Sequence, residues 1–284
     1  MAICQNAPAP AAAPAPAARD QQCKDILEKA LKDKNPDTRK QAAIALSLVG
    51  TADPYASRLE SLLDDKDVEV RLAAVASLSD LKNDRTISAL HKALNDEVPE
   101  VSFAAARSLW ALNDPDAKKA LLSILSGESK ASSGYFAKQK REALRMMHTP
   151  KPMFMFVVRT GAGFAPVPGL GAGVSSMQAL LSDPSVSGRA TAALLLEKEK
   201  DEQTLTALKE ALQDKDWSVR AAAVHALVLR DDPAFQAGII PLLDDKTEAV
   251  RLRAAAGYLR LETVKNIPKP RKRQPRKIAP KPQS

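Results

Sequence analysis

Leucine, aspartate, arginine and alanine return along this chain at fixed offsets from one another. Taking the arginine as anchor, it stands at Arg39, Arg71, Arg189, Arg220 and Arg251, with Ser102 in the equivalent place. Steps between consecutive copies are 31 or 32 residues. Eight residues before each anchor lies a leucine (Leu31, Leu63, Leu94, Leu181, Leu212, Leu243), and six before it an aspartate (Asp33, Asp65, Asp96, Asp183, Asp214, Asp245). Three after it lies an alanine, and seven after it Leu46, Leu78, Leu109, Leu196, Leu227 or Tyr258. In the second copy Val70, Ala74 and Leu78 recur at i, i+4 and i+8, one apolar stripe of a helix.

A period of this length with a helical stripe predicts one helix pair per repeat. The leucine closes the first helix, the polar segment is a tight turn, and the second helix starts about four residues before the anchor. Asn35, Asp67, Ser185, Asp216 and Thr247 stand there as residues able to cap free backbone N–H groups. Pro36 and Pro99 suit the first helical position, where no N–H is needed. Repeats 1, 2 and 3 fall at about 21–50, 53–80 and 84–112. A degenerate repeat 4 falls at about 115–148, and repeats 5, 6 and 7 at about 174–199, 201–230 and 233–262. Repeat 4 keeps Leu125 but has Gly127 where the aspartate is due. One helix pair cannot bury its apolar faces alone, whereas a stack can.

The rhythm breaks once. Leu125 and Leu181 are 56 residues apart where one period takes 31, and the excess falls at 149–173, TPKPMFMFVVRTGAGFAPVPGLGAG. From Pro152 to Val174 the only charge is Arg159, and the glycines and prolines oppose a regular helix. This insertion is the place for something specific: a loop packed on the array, a lid over a peptide or small ligand, or a lipid contact. Its candidate partner contacts are Phe154, Phe156, Arg159 and Phe164, with Trp217 of repeat 6 as a further surface anchor or packing residue. The expected organisation is therefore a disordered Ala/Pro-rich tail (1–19), repeats (20–148), the Gly/Pro-rich insertion (149–173), repeats (174–262) and a disordered basic tail (263–284).

Composition agrees with close helix packing. Aromatics make up 4% of the 284 residues, and alanine-rich interiors let helices approach. The net charge of +8 resides in the tail. Residues 263–284 hold eight bases and no acid, and removing them leaves 34 bases against 34 acids. Lys269, Arg271, Lys272, Arg273, Arg276 and Lys277 form an anion-binding tail whose prolines keep it extended. Nucleic acid, an acidic protein or an anionic membrane surface would each suit it.

Candidate chemistry is sparse. Cys4 and Cys23 give no disulfide framework or zinc motif. His91, His148 and His225 lie in different repeats and outside any HExxH-type pattern, so no metal and no cofactor is expected. No phosphate-binding glycine motif and no transmembrane span is present, and oligomeric state is not legible. The N-terminus lacks the regions of a signal peptide, which favours the cytoplasm for the sequence as it stands. A missing leader would make the protein exported or envelope-associated.

The stretch LLDDKDVEVRLAAVASL (62–78), with its copies LQDKDWSVRAAAVHAL (212–227) and LLDDKTEAVRLRAAAGYL (242–259), resembles the HEAT repeat family of armadillo/HEAT-type proteins. The resemblance implies an all-α, right-handed superhelical α-solenoid of about seven HEAT-like helical hairpins with one irregular insertion. It also implies a structural ladder between neighbouring repeats. Its acids would be Asp33, Asp65, Asp96, Asp183, Asp214 and Asp245, and its bases Arg39, Arg71, Arg189, Arg220 and Arg251, interrupted at Ser102. Such proteins scaffold more often than they catalyse. The leading expectation is thus a non-catalytic scaffold or adaptor that binds a protein or peptide along the solenoid. The alternatives are a HEAT-like lyase or other enzyme-associated protein, and a nucleic-acid-associated protein acting through its basic tail.

Overall fold

The computed structural model describes residues 16–126 and 186–267, and these are all helical hairpins and turns. Repeat 1 pairs α1 (Pro16–Leu31) with α2 (Pro36–Val49), and repeat 2 pairs α3 (Tyr55–Ser61) with α4 (Val68–Leu81). Repeat 3 pairs α5 (Asp84–Ala93) with α6 (Pro99–Ala111), and α7 (Ala117–Ser126) opens repeat 4. After residue 185 come α8 (Gly188–Leu195), α9 (Glu202–Ala211) and α10 (Trp217–Val228), then α11 (Gln236–Ile239) and α12 (Glu248–Asn266).

Local chemistry sets these boundaries. Asn35, Asp67 and Asp216 cap α2, α4 and α10, accepting N–H groups two or three residues on, and Pro36 and Pro99 stand at the first helical positions. Thr247 occupies the cap position of α12 without a side-chain bond. In repeat 5, Ser187 rather than Ser185 caps the second helix, accepting from the Ala190 N–H at 3.3 Å; Ser185 lies outside the described residues. Among the described repeats, repeat 7 has the shortest first helix, because Pro241 supplies no N–H and Ile240–Asp244 continues as a 3-10 turn. The first helix begins at Pro16, inside the stretch expected to be tail. Proline is tolerated in a first turn, and the packing of α1 on α12 ties the segment to the fold.

The second helices form one packed layer and the first helices cover it. Val70, Ala74 and Leu78 are wholly buried in that layer, as are Ala221, Ala223 and Leu227 of α10. Stacking does not simply follow chain order. α8 packs on α10, α10 on α12, α2 on α4 and α4 on α6, but α12 also packs on both α1 and α2. The described layer therefore reads repeat 5, 6, 7, 1, 2, 3. A seam joins the last repeat to the first, where a strictly sequential array would leave both faces open.

Helices α10 and α12 approach closely at Gly257. A Cβ built on Gly257 would lie 2.4 Å from Val228 Cγ2. Gly257→Ala should therefore cost about 1–3 kcal/mol through overpacking, although alanine favours a helix by about 1 kcal/mol over glycine. Denaturant titration checks this, and Val228→Ala in the same chain should relieve part of the loss, giving a non-additive double mutant.

Candidate functional site

The turns carry the most regular polar geometry. Arg39 donates Nε and Nη2 to the two carboxylate oxygens of Asp65, at 2.7 and 2.8 Å, while its Nη1 donates to the carbonyls of Asp33 and Lys34. Arg220 repeats this on Asp245, with Nη1 on the Asp214 and Lys215 carbonyls. Arg71 lies 2.8 Å from Asp96, and Arg189 pairs with Asp214. Each arginine thus reaches the aspartate of the next repeat. Each aspartate is shaped to receive it, since one oxygen of Asp65, Asp96, Asp214 and Asp245 accepts the backbone N–H two residues on. Burial pushes Asp65 and Asp245 towards protonation, but the arginine and backbone hydrogen bonds outweigh it and hold both below the usual aspartate range. At the interruption, Ser102 donates to the Leu94 carbonyl at 2.6 Å. Both members of that rung are absent from the sequence, Ser102 replacing the base and Gly127 the acid.

The seam is held differently. Thr38 Oγ1 donates to Glu248 at 2.8 Å, and wholly buried Arg253 donates Nη1 to Gln41 at 3.1 Å. Arg260 donates to the Leu48 carbonyl at 3.2 Å and to both oxygens of Asp231. Sequence reasoning missed these residues, yet their signal was present. Arg253 stands where repeats 2, 3 and 6 have Ala73, Ala104 and Ala222, and Thr38 where they have Val70, Val101 and Val219. Departures from a repeat's own consensus mark where it meets an unusual neighbour.

Beside the seam the C-terminal ends of the second helices gather titratable groups. His225 is buried, and desolvation with the nearby Arg253 and Arg260 charges lowers its pKa to about 3, so it is neutral. Its Nε2 lies 4.0 Å from Glu197, too far for a hydrogen bond, and among the described residues Nδ1 has no partner. Burial raises the Glu197 carboxyl, and Asp80 adds to that, while Lys198 and Arg230 oppose it. Asp80 belongs to repeat 2 and Glu197 to repeat 5, so the inner layer brings distant repeats near one another. Arg230 donates to the Leu196 carbonyl at 3.1 Å.

His91, Asp114 and Asp116 offer ligand atoms within 4.8 Å of one another. These groups already serve one another, with His91 Nε2 3.1 Å from Asp114 Oδ2 and the other Asp114 oxygen accepting the Asp116 N–H at 3.0 Å. Cys23 is a buried free thiol whose pKa burial pushes up to about 12, which makes it inert as a nucleophile at neutral pH. Trp217 is partly buried against the core. Phe154, Phe156, Arg159 and Phe164 of the insertion lie outside the described residues. So do Asp183, His148, Cys4 and the tail residues Lys269, Arg271, Lys272, Arg273, Arg276 and Lys277.

Large apolar side chains are exposed at particular places. Trp110 and Leu122, near the end of repeat 3 and the start of repeat 4, are 51% and 54% exposed. Leu195 and Leu196 are exposed in repeat 5, although Leu46, Leu78, Leu109 and Leu227, the counterparts of Leu196, are wholly buried. Among the described residues no helix is long and apolar enough to cross a membrane.

Solved structures with similarity to this chain include human deoxyhypusine hydroxylase in complex with glycerol, at 19% identity and a TM-score of 0.32, covering 87% of this chain and 98% of that one. The complex of CpcE and CpcF of phycocyanin lyase from Nostoc sp. PCC7120 aligns at 17% identity and a TM-score of 0.33, over 93% of this chain and 98% of that one. A designed armadillo repeat protein aligns at 18% identity and a TM-score of 0.24, over 85% and 99%. No curated protein matches the chain. The family described as HEAT repeats matches residues 11–79, 55–132 and 175–260, well over half of the sequence. With paired helices, stacked hairpins and no strand among the described residues, this all-α solenoid belongs to the HEAT repeat family.

Proposed function

We propose that the chain is a non-catalytic scaffold or adaptor that binds a protein or peptide along its solenoid surface. The observation that supports this is the exposure of Trp110, Leu122, Leu195 and Leu196, the last at a position whose counterpart leucines are buried. Exposed aromatic and aliphatic side chains of this size are the usual anchors of a protein contact. The insertion 149–173, with Phe154, Phe156 and Phe164, would add apolar area to such a surface. Trp217, tucked against the core, contributes mainly to packing in this reading.

A photo-crosslinking amino acid placed at Trp110, and separately at Leu196, should capture a discrete protein partner in cells of the source organism. The same group at Gln213, on an exposed turn, should not. Equal capture at all three positions, or none at Trp110 and Leu196, would overturn the reading.

A further inference from the structure

Five arginines of the ladder type lie among the described residues, and four of them meet an aspartate. The fifth is Arg251. Its Nη1 donates to the carbonyls of Asp245 and Lys246 at 2.7 and 3.1 Å. Arg39 and Arg220 make the equivalent two bonds, at 2.9 and 3.1 Å and at 2.7 and 3.2 Å. Two carbonyls therefore anchor the guanidinium on its Nη1 side in the same way in all three repeats. In Arg39 and Arg220 the remaining edge, Nε and Nη2, grips both oxygens of an aspartate. In Arg251 that edge has no partner among the described residues, and the side chain is only partly buried.

The residue due to fill it is Asp33, because repeat 1 follows repeat 7 in the stack. Asp33 has the ladder conformation, with one oxygen accepting the Asn35 N–H at 2.8 Å, as in its engaged counterparts. It forms no ion pair with Arg251, since the seam is held instead through Thr38–Glu248, Gln41–Arg253 and Leu48–Arg260. What remains is a pre-oriented guanidinium fork with its bidentate edge open.

We infer that Arg251 is a carboxylate-binding subsite of the scaffold surface, which takes an aspartate or glutamate side chain of an acidic peptide segment in the partner. The filled rungs on the same molecule define the ligand chemistry. It is a planar carboxylate accepting two parallel N–H bonds, a geometry arginine provides and lysine does not. Anchorage by two carbonyls lessens the ordering cost of such a bond. This inference rests on the scaffold reading and names the chemistry of what that scaffold holds.

The test observes the Nε–Hε signals of the full-length protein labelled with 15N-arginine while N-acetyl-aspartate N-methylamide is added. The Arg251 signal should move towards saturation with a dissociation constant on the order of 0.1 M, as befits one solvent-accessible rung. The signals of Arg39 and Arg220, already filled, should stay in place. The blocked asparagine analogue at matched ionic strength should move none of them. Arg251→Lys should delete one signal and so assign it to Arg251, without unfolding the chain, as judged by the unchanged Arg39 and Arg220 signals. Movement equal to that produced by salt alone, or equal movement of the exposed Arg85, would overturn the inference. So would an Arg251 signal that depends on protein concentration without ligand, which would assign the fork to a second copy. A negative result here leaves crosslinking at Trp110 unaffected, so failure of the subsite and failure of the scaffold reading are separable.

Discussion

Replacing Asp65 with alanine should destabilise the protein by about 3–5 kcal/mol, the cost of stranding a buried charge. Arg39 and Asp65 are both buried at their rung, and the pair is bidentate at 2.7 and 2.8 Å. Without the carboxylate, Arg39 keeps its bonds to two carbonyls but loses its counter-charge in a largely buried place. The same substitution at Asp214 provides the control. Its partner Arg189 is 57% exposed and screened by solvent, so Asp214→Ala should cost far less than Asp65→Ala. The pair of variants shows whether the ladder's energy follows the repeated motif or the burial of each rung. Chemical denaturation of both at neutral pH measures the difference, and equal losses would mean that the motif alone governs.

The second large effect is a dependence on pH. His225 stays neutral in the folded chain down to about pH 3, whereas an unfolded histidine titrates near its ordinary value of 6.5. Below pH 6.5 the unfolded chain takes up a proton that the folded chain refuses, so stability falls as pH falls through the window from 6.5 to 3. Between pH 7 and pH 4.5 the loss from this one group should be about 2–3 kcal/mol. Asp65, Asp214 and Asp245, held low, add their own loss only as pH drops further, through the carboxylate range. His225→Leu separates the two contributions. The equivalent positions in repeats 1 and 5 are Ile44 and Leu194, both buried, so the site accepts an aliphatic side chain. The variant should match or exceed the parent at pH 7 and show a flat stability from pH 7 to 4.5. A parallel slope in parent and variant would remove His225 as the cause.

Much of this architecture was legible because a repeat states its packing several times over. The stripe Val70–Ala74–Leu78, the caps Asn35, Asp67 and Asp216 and the prolines at helix starts are local signals, and local signals survive translation into structure. The order of stacking was not legible in that way. Nothing within a single period says that repeat 7 lies on repeat 1, because every hairpin offers similar alanine-lined faces. The information sits in exceptions such as Thr38, Glu248 and Arg253, polar or charged where most sister repeats are small or apolar. The start of the first helix at Pro16 has a related cause. The Ala/Pro composition of the segment reads as a spacer, and the packing of α1 on α12 of the distant repeat 7 gives it a fixed position. The candidate surface was partly legible. Trp110 was visible in the sequence, but its exposure depends on which hairpins neighbour it.

A solenoid ordinarily assembles as each hairpin leaves the ribosome, because its contacts reach only the hairpin before. Here the bonds of Thr38 to Glu248 and of Gln41 to Arg253 join residues 210 and 212 positions apart. Loop closure over such a distance precedes any return in contact energy and slows the search for the native state. The earliest-made helices therefore wait, one apolar face uncovered, until nearly the whole chain has been synthesised. During that interval the nascent protein is most open to aggregation and most in need of a chaperone.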